Sequence, residues 1–241
     1  MIAILSDFGQ SEYLGVMKGV IYSIYPNSKI VDLCNTINPH SIKEAAWILF
    51  TNFEYFPRGT IFLCVVDPGV GGKRNALAIK TKNYYFIGPD NGLMYPSIKK
   101  DGIKITVKLS VRGASRTFHG RDVFAKAAAK LEGGESIENL GRKTTLKKKL
   151  KFYLKGRTGE IVRIDNFGNI ITNLRPLKKR VYDLKYKKIK KKLRLFKTYE
   201  SAPKNELFLI VGSSGTLEIS MKEKSASEYL KVEIGNKIKI E

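Results

Sequence analysis

Apolar residues follow two kinds of pattern along this chain. Short unbroken runs at residues 2–5 and 61–66 suit strands buried on both faces, and residues 30–34 read as a further strand with Asp32 inside it. Between them Leu14, Met17, Ile21 and Ile24 recur at helical spacing until Pro26 forbids continuation. Ser41 and Glu44 have the spacing of a capping box and open a second helix that ends near Pro57. Residues 76–81 and 84–87 predict two strands around a tight Lys82-Asn83 turn, and 103–109 alternates as another strand. An alanine-rich helix over 123–131 is stopped by Gly133-Gly134. Strands alternating with helices predict an α/β N-terminal domain with a mostly parallel sheet flanked by helices.

From Lys143 the pattern changes. Residues 147–151 are a lysine-rich run that reads as a linker, and helical periodicity then all but disappears. Residues 161–165 and 170–174 flank Asn166-Phe-Gly-Asn169 as a hairpin, and Tyr182, Leu184 and Tyr186 alternate with polar neighbours. Further short strands are expected at 193–196, 207–211, 216–219 and 237–240. Short strands with glycine-rich turns predict a small C-terminal antiparallel β-barrel domain. The boundary falls between Thr144 and Gly156, giving domains 1–150 and 151–241. No internal repeat is visible.

Composition narrows the class. With 43% hydrophobic and 10% aromatic residues the chain can bury a core. No apolar run reaches the roughly eighteen residues of a membrane span, and the N-terminus has no basic leader, so a soluble, unprocessed cytoplasmic protein is expected. Cys34 and Cys64 lie in strands expected to be buried and match no metal spacing, so packing is their expected role. The two histidines, His40 and His119, form no metal framework, and no metal is expected. The net charge of +22 raises the question of nucleic acid. Lys and Arg number 23 against 12 acids in residues 1–151 and 21 against 10 in the remainder, so the excess is spread evenly. Its densest cluster, residues 178–197, overlaps the alternating strand, which favours a solvated lysine face over a nucleic-acid site.

Four polar patches carry the candidate chemistry: Ser6-Asp-Phe-Gly9 with Glu12, Asp67-Pro-Gly-Val-Gly71 with Arg74, Phe118-His-Gly-Arg-Asp122, and Asp165-Asn-Phe-Gly-Asn169. The first three follow expected strands, and loops at the carboxyl ends of parallel strands converge on one edge. Taken singly, each has a structural reading: a cap at Asp7, an Asp-Pro turn at Asp67, a helix-start ion pair at Arg121-Asp122, hairpin chemistry at Phe167-Gly168. In this order, and together with Gly88-Pro-Asp-Asn-Gly-Leu93 and Gly212-Ser-Ser-Gly215, they resemble the S-adenosyl-L-methionine hydroxide adenosyltransferase family, the adenosylmethionine hydrolases related to fluorinating and chlorinating enzymes. The resemblance covers essentially the whole chain.

That resemblance implies hydrolysis of S-adenosyl-L-methionine to adenosine and L-methionine, with no cofactor beyond the substrate. It also implies a homotrimer whose active sites lie between the N-terminal domain of one subunit and the C-terminal domain of the next. It assigns a water-activating triad of Asp67, Arg74 and His119, and substrate binding to Asp7, Glu12, Asp165, Phe167, Asn169, Ser213 and Ser214. Arg74 suits the stabilisation of hydroxide, whereas His119 and Asp67 both remain candidates for taking the proton. Glu12 departs from the aspartate usual in the family, and Cys34-Asn35 replaces a common Thr-His pair. The competing readings are a halogenase of the same superfamily, a basic nucleic-acid-binding protein, and an adenosine-binding protein without turnover.

Overall fold

In the computed structural model, which describes residues 1–241, the unbroken apolar runs form the middle of a sheet. β1 (Ile2–Ser6) and β3 (Ile61–Val65) are buried at every position and pair in parallel. Around them lie β2 (Ile30–Cys34), β4 (Ala76–Thr81), β5 (Tyr85–Pro89), β6 (Ile103–Leu109) and β7 (Gly141–Lys143), in the order β2-β1-β3-β5-β4-β6-β7. The sheet is mixed, which corrects the mostly parallel expectation. Pairings from β2 to β5 are parallel, and those from β5 through β4 and β6 to β7 are antiparallel. The cause is local: only Lys82, Asn83 and Tyr84 lie between β4 and β5, and so short a connection permits only a hairpin, since a parallel return needs a crossover of a dozen residues or more.

The period-two alternation divides the core. Ile2 and Ile4 face α1 (Glu12–Ile24), with Met17 and Ile21, and the helical stretch containing Phe124 and Ala128. Ala3 and Leu5 face α2 (Ile42–Asn52) and α3 (Tyr95–Asp101), where Phe53, Phe62, Tyr84 and Phe86 pack edge to face or stacked. The alanine-rich helix starts earlier than its periodicity implied, as a π-helical turn over Gly120–Ala125 that continues into α4 (Lys126–Glu132). No capping box forms at α2: the Ser41 side chain caps nothing, and Glu44 turns back to accept from the backbone and side-chain amides of Asn38 at 3.1 and 2.9 Å. β2 is a largely exposed edge strand, so Cys34 is half-buried, whereas Cys64 is fully buried and its thiol is pushed up by desolvation. No helix is long and apolar enough to cross a membrane.

The chain divides into two compact units, Met1–Lys151 and Phe152–Glu241. The lysine run ahead of the division is tied down, because the backbone amides of Lys147 and Lys148 donate to the buried Asp90 carboxylate at 3.0 and 3.2 Å. The second unit contains β8 (Thr158–Ile164), β9 (Ile170–Thr172), β10 (Val181–Tyr186), β11 (Ile189–Arg194), β12 (Leu207–Val211), β13 (Leu217–Met221) and β14 (Lys237–Ile240). Their order is β11-β10-β14-β8-β9-β13-β12, every pairing is antiparallel, and the sheet curls until Phe196, just past β11, donates its amide to Leu209 of β12 at 2.9 Å. A short helix, α5 (Ala226–Leu230), interrupts the strands. Tyr182, Leu184 and Tyr186 point into the core, leaving Asp183 and Lys185 outside with Lys190 and Lys192 of β11.

Candidate active site

β3 leads straight to Asp67, where the chain folds back through two successive turns, the amide of Val70 donating to the Asp67 carbonyl and that of Gly72 to Gly69. Gly71 sits at φ +73, and a side chain there would run into the carbonyl of Arg116. Glycine thus lets this turn pack directly on the segment that leads to His119. The fold-back brings Arg74 onto Asp67 as a two-pronged ion pair, Nε donating to Oδ1 at 3.0 Å and Nη2 to Oδ2. Both side chains are nearly buried. The same Nη2 lies 2.8 Å from Nδ1 of His119, and the guanidinium covers the Phe124 ring at 5.3 Å.

His119 is placed by the loop before the π-helical turn. The Ser115 hydroxyl accepts the amides of Thr117 and Phe118 at 3.2 and 3.0 Å, and the Asp122 carboxylate accepts the Ser115 amide at 2.9 Å. Arg121 grips the same carboxylate at 2.7 and 3.0 Å, and this pairing holds its pKa down at about 2. The His119 ring is buried, and burial first, then the Arg74 cation, pushes its pKa below the ordinary 6.5. Asp67, Asp122 and a hydrogen bond to the Ser115 backbone oppose that shift without reversing it.

Asp67 and His119 face a cavity of about 300 Å³ whose other walls include Asp7, Ser11, Tyr13 and Phe118. Arg74 is absent from those walls, so it stands behind the two residues it joins. Asp7 accepts the backbone amide of His40 at 2.9 Å, and His40 holds a left-handed backbone at φ 66. Asn35, at the position of the departure from the family pattern, accepts the Ser6 hydroxyl at 2.7 Å and so braces the turn that carries Asp7. Glu12, in contrast, is exposed in the first turn of α1, outside the cavity walls. Sequence reasoning missed Asn91. The Asn91 side chain, within the motif at residues 88–93, donates at 2.7 Å to the carbonyl of Val66, the residue before Asp67.

The remaining candidates lie on the second unit. Asp165, Phe167 and Asn169 border a cavity of about 820 Å³ together with Tyr199, Met221 and Ser225. The Asp165 carboxylate already accepts the amides of Phe167 and Asn169 and the Asn169 side chain, at 2.8 to 2.9 Å, so it organises the hairpin. Phe167 is 80% exposed, an unusual position for a bare aromatic ring. Ser213 and Ser214 sit on the β12–β13 turn, outside this cavity, with Ser214 bonded to Thr216 at 2.8 Å. Nothing in the sequence pattern flagged Tyr199 and Glu218. Tyr199 donates to the buried Glu218 carboxylate at 3.0 Å; desolvation pushes the Glu218 pKa up, and that of Tyr199 rises to about 12.

Comparison with known proteins extends over both units. The SAM hydroxide adenosyltransferase N-terminal domain matches residues 2–141, and the C-terminal domain of the same name matches residues 159–239. An (R)-S-adenosyl-L-methionine hydrolase of Methanocaldococcus jannaschii is 34% identical, the alignment covering 100% of this chain and 95% of that protein. A fluorinase of Nocardia brasiliensis is 26% identical over 72% of this chain and 71% of its own. Among solved structures, an uncharacterized conserved protein from Thermotoga maritima superposes with a TM-score of 0.91 at 33% identity, covering 100% of both chains. The chain belongs to the SAM hydroxide adenosyltransferase family.

Proposed function

We propose that this protein hydrolyses S-adenosyl-L-methionine to adenosine and L-methionine. The observation that carries the reading is the ion-paired cluster of Asp67, Arg74 and His119, two members of which face a cavity that also receives Asp7. In the reaction a water oxygen forms a bond to C5′ of the ribose while the C5′–S bond breaks. The electron pair stays on sulfur, methionine leaves as a neutral thioether, and the attacking water loses a proton.

The leaving group is already good, so the protein must align a weak nucleophile and accept that proton. Arg74 contributes by fixing the two groups beside the cavity and by keeping the Asp67 carboxylate oriented towards it. Asp7 suits the ribose diol, because a carboxylate can accept two hydrogen bonds. Asp165, Phe167, Asn169, Ser213 and Ser214 are the groups that would hold the rest of the substrate, in a homotrimer whose active sites lie between subunits. Glu12 would join that site only from a position outside the cavity of its own unit. No cofactor enters this chemistry.

Hydrolysis is preferred to halogenation because similarity to hydrolases spans nearly all of the chain, whereas the fluorinase match covers 72% of it. The test is product analysis after incubation with S-adenosyl-L-methionine in chloride buffer. Adenosine and methionine in equal amounts are expected, and a 5′-halogenated adenosine in place of adenosine would overturn the reading. Binding of polyanions without turnover would point instead to a nucleic-acid protein.

A further inference from the structure

A guanidinium carries five N–H donors and no acceptor, and it stays charged at any working pH. The 2.8 Å contact between Arg74 Nη2 and His119 Nδ1 therefore has one polarity: Nη2 donates and Nδ1 accepts. An Nδ1 that accepts carries no proton, so the proton of the neutral ring is on Nε2. A ring in this state has no free lone pair for water. Freeing one on Nε2 would move the proton to Nδ1 and set two N–H groups against each other. Protonating Nδ1 as well would place an imidazolium against the Arg74 cation.

We propose that Arg74 locks His119 as the Nε2–H tautomer, so that His119 serves as a positioning acceptor for the guanidinium and Asp67 takes the proton of the attacking water. Each Asp67 oxygen receives one hydrogen bond from Arg74, and a carboxylate offers about four lone-pair sites, so acceptor capacity remains on the side that faces the cavity. A weak base is sufficient here. As the oxygen bonds to C5′ and sulfur departs, the water becomes a protonated alcohol, which gives up a proton readily even to a carboxylate paired with arginine. The proton passes from that oxygen to Asp67 and then to solvent. The assignment to Asp67 rests on the hydrolytic reading, whereas the tautomer does not.

The tautomer is read by long-range nitrogen-15 NMR of the imidazole rings in the full-length protein at neutral pH. The chain has two histidines, so the signal lost in His119→Asn identifies His119. An unprotonated Nδ1 beside a protonated Nε2 is expected; the opposite pattern, or an imidazolium, would overturn the proposal. The kinetic arm compares His119→Asn with His119→Ala in single-turnover adenosine formation. Asparagine offers an acceptor oxygen near the place of Nδ1 but no base, so it should recover to within about tenfold of wild type, where a lost general base costs about 10² to 10⁴. His119→Asn as slow as His119→Ala would show that the ring takes the proton and would overturn the proposal. Wild-type protein that makes no adenosine would remove the hydrolytic reading itself, with the NMR pattern still deciding the tautomer.

Discussion

At the scale of the residue, His119 links the site to stability. Its folded-state pKa lies below the ordinary 6.5, chiefly because burial and the Arg74 cation disfavour the imidazolium. As pH falls below about 6.5 the unfolded chain therefore binds a proton that the folded chain refuses, and stability is lost in that direction. Denaturant titrations at descending pH should show this loss beginning near pH 6.5, well above the window of the carboxylates, and His119→Asn should lack that part of the slope. A wild-type curve flat from pH 7 to about 5 would contradict the burial of a neutral imidazole. Asp67, Arg74 and His119 were each legible as residues at the ends of strands or at the start of a helix. Which ring nitrogen meets the guanidinium, and that Arg74 stands behind the other two, depends on side-chain directions that no linear pattern encodes.

At the scale of the element, the active unit is β3 with the turn that follows it, held from two sides. Gly71→Ala would put a side chain into the Arg116 carbonyl at a left-handed φ of +73. It is expected to cost roughly 1 to 3 kcal/mol of stability and to depress adenosine formation far more than substrate binding, because the turn sets the reach of Arg74 to Asp67. Calorimetry and steady-state kinetics on the same variant read both effects. From the other side Asn91→Ala removes the bond to the Val66 carbonyl and leaves that group buried without its donor, a loss of about 1 to 3 kcal/mol. An unchanged melting temperature in Asn91→Ala would show that the motif does not anchor the strand end. The mixed sheet has an equally local origin. The tight Lys82-Asn83 turn expected between two strands closes them into an antiparallel hairpin, and that consequence for strand direction follows from chain geometry alone. α3 and α5 escaped notice because seven and five residues are too few for an apolar period to declare itself.

At the scale of the whole molecule, the charge of +22 is a self-repulsion that must be borne by the folded state. On the outer face of the second unit Lys185 stands opposite both Lys190 and Lys239, and the nearby Glu241 pairs with Lys185 at 2.6 Å. Added salt should therefore raise the melting temperature, since the screening length shortens to about 8 Å near physiological ionic strength. A melting temperature that falls with salt would mean that attractive pairs outweigh the repulsion. The proposed homotrimer is checked by sedimentation, which should find three chains of 27.2 kDa in one species.

What the sequence by itself determined are the features set by neighbours along the chain: buried strands from unbroken apolar runs, the inward face of β10 from alternation, and the change from helices to short strands past residue 143. Those signals are local, because period and turn chemistry act over a few residues. Only the tertiary structure decided the rest. It inserted β4 between β5 and β6, left β2 at an exposed edge, carried Glu12 away from the cavity, and set Arg74 between Asp67 and His119 with its donors directed at both. The physical reason is the same in each case: these outcomes depend on which surfaces must be buried against each other and which hydrogen bonds must be satisfied there, and both are properties of residues far apart in the chain.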